Sequence, residues 1–146
     1  SACASSLNDC IEANLDVQYV MAVAQSVPTT YYYWTGSDVW LDWIESVADL
    51  ANPPDVFSIS YGSYEAAFSA SYLLAFNNEA IKLGVVGTTV LAASGDDGVA
   101  GFLVRRGSLS CGYYASFPAS SPYVTAVGGT MVRGVDFARI VASFLG

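Results

Sequence analysis

Glu12 and Asp16, in Ile11-Glu12-Ala13-Asn14-Leu15-Asp16-Val17-Gln18-Tyr19, lie four residues apart where the chain reads as helix. Both carboxylates therefore project from one face. Two like charges at that spacing cost a few tenths of a kcal/mol on an exposed helix. The chain has no histidine, so a general base would have to be a carboxylate or something less usual. Two neighbouring carboxyl groups cannot both ionise cheaply; they share a proton and titrate as a pair. Such a base is matched to acid, because proton transfer works best when the catalytic pKa lies near the operating pH. The spacing alone favours a plain role, negative charge near a helix N-terminus. A second acidic feature is Ala93-Ser94-Gly95-Asp96-Asp97-Gly98, which by itself reads as a turn.

The elements that would position these residues alternate along the chain. A helix runs from Glu12 to about Gln25 and stops at Ser26-Val27-Pro28. Thr30 to Trp34 is β-branched and aromatic and reads as a strand. Ser37 and Asp38 can cap a helix whose apolar stripe is Val39, Trp40, Trp43, Ile44, Val47 and Leu50. Asn52-Pro53-Pro54 ends it. Asp55 to Ser60 is a short strand, Tyr64 to about Leu83 a long helix with Gly84 as its C-cap. Thr88 to Ala93 and Tyr123 to Val127 read as buried strands, with a loop between them from Val99 to Ser116. This alternation predicts an α/β fold built from βαβ units around a mostly parallel sheet. Ligands of such sheets bind beyond the carboxyl ends of the strands. That rule selects Ser60-Tyr61-Gly62 and Ser94-Gly95-Asp96.

The 146 residues suffice for one domain with a core. Apolar content of 53% with only 12% charged residues excludes a disordered chain. A net charge of −8 repels phosphates and argues against a nucleic-acid partner. No run of about 18 uncharged apolar residues is present, so no membrane-spanning helix is expected. The cysteines are Cys3, Cys10 and Cys111. Cys3 and Cys10 are close enough in sequence to bridge and staple the entry to the first helix; three free thiols are the alternative.

In four ordered blocks the chain resembles the sedolisin, or serine-carboxyl peptidase, family, and within it the tripeptidyl-peptidase branch. The blocks are Glu12 to Tyr19, Ser58-Ile59-Ser60-Tyr61-Gly62, Ala93 to Gly98, and Phe117 to Thr130. The resemblance implies a subtilisin-like doubly wound sheet with helices on both faces, here the incomplete, central part of the domain. It implies hydrolysis of peptide bonds in acid by an endopeptidase or tripeptidyl-peptidase. Matched to the motifs, Glu12 is the general base, Asp16 orients it, and Asp96 supplies the oxyanion donor. Asp96 can donate a hydrogen only when protonated, which ties activity to acid a second time. Such a donor is worth roughly 3–4 kcal/mol of barrier. Ser60, Tyr61 and Gly62, with Ser94 and Gly95, would hold an extended peptide as an added strand. Family members often carry tryptophan where Tyr61 stands.

The family's Ser-Gly-Thr-Ser nucleophile stretch does not occur in these 146 residues, and no Gly-x-Ser-x-Gly replaces it. The chain alone is therefore expected to be inactive. The family's calcium ligands are missing as well, so no metal or cofactor is expected here, while the full domain would carry calcium. Residues 1–130 match the domain in part, and residues 131–146 depart from the family pattern, as a shifted reading frame, a retained intron or a chimeric gene model would make them. Expected partners are peptide or protein substrates, not nucleic acid or membrane, acting on a monomer. The expected location is secreted, lysosomal or vacuolar. A non-catalytic peptide-binding fragment or pseudoenzyme is the alternative. An unrelated small-molecule binder has no Gly-x-Gly-x-x-Gly or phosphate-loop motif to support it.

Overall fold

A computed structural model describes residues 7–129. These fall into two units that divide between Thr35 and Gly36. The first holds α1, Leu7–Val23, followed by irregular chain. The boundary agrees with the expected helix to within a few residues at the C-terminal end, where Ser26 turns at φ +68° ahead of Pro28. Thr30 to Trp34, expected as a strand, is irregular. β-propensity reflects how a side chain fits a half-buried sheet surface, and Tyr31, Tyr32 and Tyr33 are all exposed. Cys10 is disulfide-bonded, whereas Cys111 is free and exposed. Cys3, the expected partner of Cys10, and the 131–146 tail lie outside the described residues.

The second unit orders α2 (Leu41–Ala48), β1 (Val56–Ile59), β2 (Ser63–Tyr64), α3 (Ala70–Val85), β3 (Thr89–Ala93), α4 (Gly101–Arg105), β4 (Ser116–Phe117) and β5 (Thr125–Val127). β1, β3 and β5 form a parallel sheet in the order β1-β3-β5, with Ile59 opposite Ala92 and Ala93 opposite Val127. This is the α/β, mostly parallel arrangement the alternation predicts. β2 and β4 make a separate antiparallel ribbon, Ser63 opposite Phe117 and Tyr64 opposite Ser116.

That ribbon explains why the long helix starts at Ala70 and not at Tyr64. Tyr64 is spent on the ladder, and Ser69 then caps the helix by accepting the Tyr72 N–H at 3.2 Å. Its C-terminus also runs past Gly84. The left-handed residue is Gly87, at φ +93°, while the Val86 and Thr88 amides close on Lys82 and Leu83 carbonyls. The expected burial of β5 on both faces is not observed; Val127 is 51% exposed, at the edge of the sheet. The loop from Val99 to Ser116 contains α4 and a short 3-10 turn.

The core follows from the α2 stripe. Trp40, Trp43, Ile44 and Val47 are buried, while Val39 and Leu50 at its ends are exposed. Trp43 meets Phe57 of β1 edge to face at 5.6 Å. Phe76 of α3 meets Phe117 of β4 at 4.7 Å, and Trp40 and Phe68 also pack on Phe117. The Phe117-Pro118 bond is cis.

Asp38 joins α2 to α3. Its Oδ1 accepts the amides of Trp40 and Leu41 at 2.9 and 2.8 Å and the Tyr72 hydroxyl at 2.5 Å. Burial alone would raise the Asp38 pKa, but the Tyr72 hydroxyl and the two amides outweigh it and hold the carboxyl below its ordinary value. Tyr72 is pushed well above the usual phenol value, by burial and then by its bond to Asp38.

Candidate functional site

The parallel register brings the carboxyl ends of β1 and β3 side by side. Past those ends the two segments chosen by the strand-end rule diverge around one cavity of about 270 Å3. Ser60, Tyr61, Gly62, Ser94, Gly95 and Asp96 all line it. The Ser94 amide donates to the Val127 carbonyl at 2.9 Å, which fixes where β3 hands over to the turn. Tyr61 and Asp96 are exposed at the cavity, and Ser60 and Ser94 are half-buried in its wall.

Gly62 has a steric reason to be glycine. A Cβ there would stand 2.6 Å from Ser116 Oγ and 3.3 Å from the Phe117 carbonyl oxygen. A side chain at this position would require Ser116 Oγ to rotate away and would crowd the Phe117 carbonyl where the β2–β4 ribbon passes. The far wall is aromatic: Tyr64 and Tyr114 pack edge to face at 5.4 Å, and both line the cavity.

Asp97, which by sequence is an ordinary turn residue, has a further partner. Arg105 Nε on α4 approaches Asp97 Oδ1 at 2.7 Å, and both residues line the cavity. The two are eight residues apart, a spacing that no regular element marks, so the pairing could not be read from the sequence. Ser116 and Tyr114 are concealed for a similar reason: Ser116 reaches the cavity by antiparallel pairing with Tyr64, and Tyr114 by packing its ring on Tyr64, some fifty positions earlier.

Glu12 and Asp16 lie one turn apart on α1 of the first unit, both half-buried. Asp96 belongs to the second unit. Among the described residues no group of three or more His, Cys, Asp or Glu side chains could hold a metal ion. No helix among the described residues is long and apolar enough to cross a membrane.

What the second unit offers chemically is a concave site at the end of a parallel sheet. The Ser60 to Gly62 segment forms one lip, Asp96 stands on the other, and Tyr64 and Tyr114 make an aromatic back wall.

No protein-family profile matches the chain. Similar proteins include tripeptidyl-peptidase 1 of Canis lupus familiaris and of Homo sapiens, each 39% identical over 124 residues, which is 82% of this chain and 22% of the relative. Tripeptidyl-peptidase 1 of Mus musculus is 39% identical over 127 residues, covering 84% of this chain and 22% of its own length. The chain thus spans about a fifth of the relatives it matches. Among solved structures, Pseudomonas sedolisin, a serine-carboxyl proteinase complexed with two molecules of pseudo-iodotyrostatin, superposes with a TM-score of 0.54. It is 30% identical and covers 66% of this chain and 26% of the sedolisin chain.

Proposed function

This chain is part of a sedolisin-family peptidase domain, and from that premise we propose that it forms the substrate-holding part of an acid-acting serine-carboxyl peptidase. An extended peptide lies along Ser60-Tyr61-Gly62 as an added strand, with one side chain directed into the 270 Å3 cavity. Asp96, protonated in acid, donates to the oxygen that becomes negative when the peptide carbonyl is attacked. Glu12 takes the proton of the attacking hydroxyl, and Asp16 orients Glu12 and shares its charge. The attacking serine is not among these residues, because none stands in the family's Ser-Gly-Thr-Ser context. The 146 residues therefore bind peptides without cleaving them. The intact enzyme works in an acidic compartment, lysosomal, vacuolar or extracellular.

The observation that carries this reading is the convergence of two separate motif segments, at the ends of β1 and β3, on a single cavity. Calorimetric titration of the chain with an unstructured peptide, paired with a cleavage assay in acid, tests it. Binding without turnover is expected. Turnover abolished by Glu12→Gln would show that a nucleophile is present after all, and absence of any binding would remove the substrate role.

A further inference from the structure

Next to the cleft lies a second cavity, of about 210 Å3, and Ser94 and Ser116 line both. Its other walls include Glu65, Ser120, Ala119 and Ala126. Ser120 Oγ is buried and has no hydrogen-bond partner among the described residues. The Ser120 amide is satisfied, donating to the Ser116 carbonyl at 2.8 Å, so only the hydroxyl is left over. A buried hydroxyl without a partner costs about 1–3 kcal/mol, which a ligand with a polar tip would recover. Glu65, one of the 13 acidic residues behind the net charge of −8, also lines this cavity.

The lining defines the ligand. Alanine methyl groups suit an alkyl stem. A carboxylate and serine hydroxyls are acceptors, and an ammonium head brings three donors and no acceptor to compete with them. An anion would meet Glu65 unfavourably, and a purely apolar group would leave the Ser120 hydroxyl unpaired.

We propose that this second cavity is a pocket for an aliphatic primary ammonium group, the end of a lysine-type side chain, with Glu65 and Ser120 as its specificity residues. Its delivery as part of a substrate rests on the peptide-cleft reading above. Its affinity for a free alkylammonium does not.

The test titrates n-butylammonium, n-butanol and butyrate into the full chain at neutral pH and low salt, following the amide resonances of Glu65, Ser116 and Ser120. Saturable shifts are expected with n-butylammonium, affinity at least about tenfold weaker with n-butanol, and no saturation with butyrate. Glu65→Gln should lower n-butylammonium affinity about tenfold, and Ser120→Ala about threefold. Equal binding of butanol and butylammonium overturns the proposal, as does an unchanged affinity in folded Glu65→Gln. If a variant does not fold, the three-ligand series on the unsubstituted chain decides alone. A peptide pair differing only in lysine against norleucine separates the two readings. Peptide binding with no lysine preference sinks the pocket and spares the cleft; butylammonium binding with no peptide binding does the reverse.

Discussion

Removing the Asp38 carboxylate should loosen the second unit measurably. The side chain accepts the Trp40 amide and the first α2 amide, Leu41, at 2.9 and 2.8 Å and the Tyr72 hydroxyl at 2.5 Å. Asp38 lies two residues before the N-cap Trp40, and losing its two amide contacts is comparable to losing a helix N-cap, about 1 kcal/mol. Loss of the Tyr72 bond removes a hydrogen bond to a charged acceptor, about 1–2 kcal/mol after discounting for partial exposure. Asp38→Ala should therefore cost about 2–3 kcal/mol, which at a urea slope of about 2 kcal/mol/M lowers the midpoint by about 1 M. Trp40 and Trp43 are buried in the adjoining helix and report unfolding by fluorescence. Tyr72→Phe should cost about 1 kcal/mol, and the double variant should show coupling of about 1 kcal/mol.

The pH dependence has a definite sign for each partner. Asp38 is held below its ordinary carboxylate value, so its contribution is complete above that value and fades as pH falls through the lowered one. Tyr72 is raised, so its contribution is complete below the ordinary phenol value and is lost only in strong alkali. The depressed Asp38 pKa keeps the clamp charged further into acid than an ordinary aspartate would allow, and the acid decline of the urea midpoint should be shallower in Asp38→Asn. A midpoint for Asp38→Ala within about 0.2 M of the unsubstituted chain, or zero coupling with Tyr72→Phe, would refute this reasoning.

Gly62→Ala should crowd the β2–β4 ribbon, because the new Cβ meets Ser116 Oγ at 2.6 Å and the Phe117 carbonyl oxygen at 3.3 Å. A stability loss of about 1–3 kcal/mol and weakened peptide binding, both measured on the purified variant, are expected. Phe76→Ala removes a side chain that is fully buried against Phe117 and should cost about 3–5 kcal/mol in chemical denaturation. Arg105→Gln breaks the Asp97 pair at the cavity rim; since Arg105 is largely exposed, stability should move by less than about 1 kcal/mol while peptide affinity changes.

The parts of the fold carried by local pattern were legible. The Trp40, Trp43, Ile44, Val47 stripe is a helical face wherever the helix is docked, and it is buried here. Alternation of strand and helix implied parallel pairing, and β1, β3 and β5 pair in that way. The strand-end rule then located the cavity from two short segments, Ser60 to Gly62 and Ser94 to Asp96. What the sequence concealed depends on distant partners. Ser63 and Tyr64 look like the first turn of a helix until residues 116–117 claim them. Tyr31 to Trp34 has strand composition, but composition supplies no neighbouring surface. Asp38 was legible as a cap, whereas its bond to Tyr72, 34 residues away, was not. Asp97 and Arg105 needed the fold of α4 to meet.

The proposed groove for an extended peptide is formed by the ends of β1 and β3. Hydrogen–deuterium exchange of the backbone amides, with and without a saturating peptide, addresses it directly. Slowed exchange confined to residues 60–62 and 94–96 is predicted. Protection elsewhere with none at these two strand ends would contradict the account.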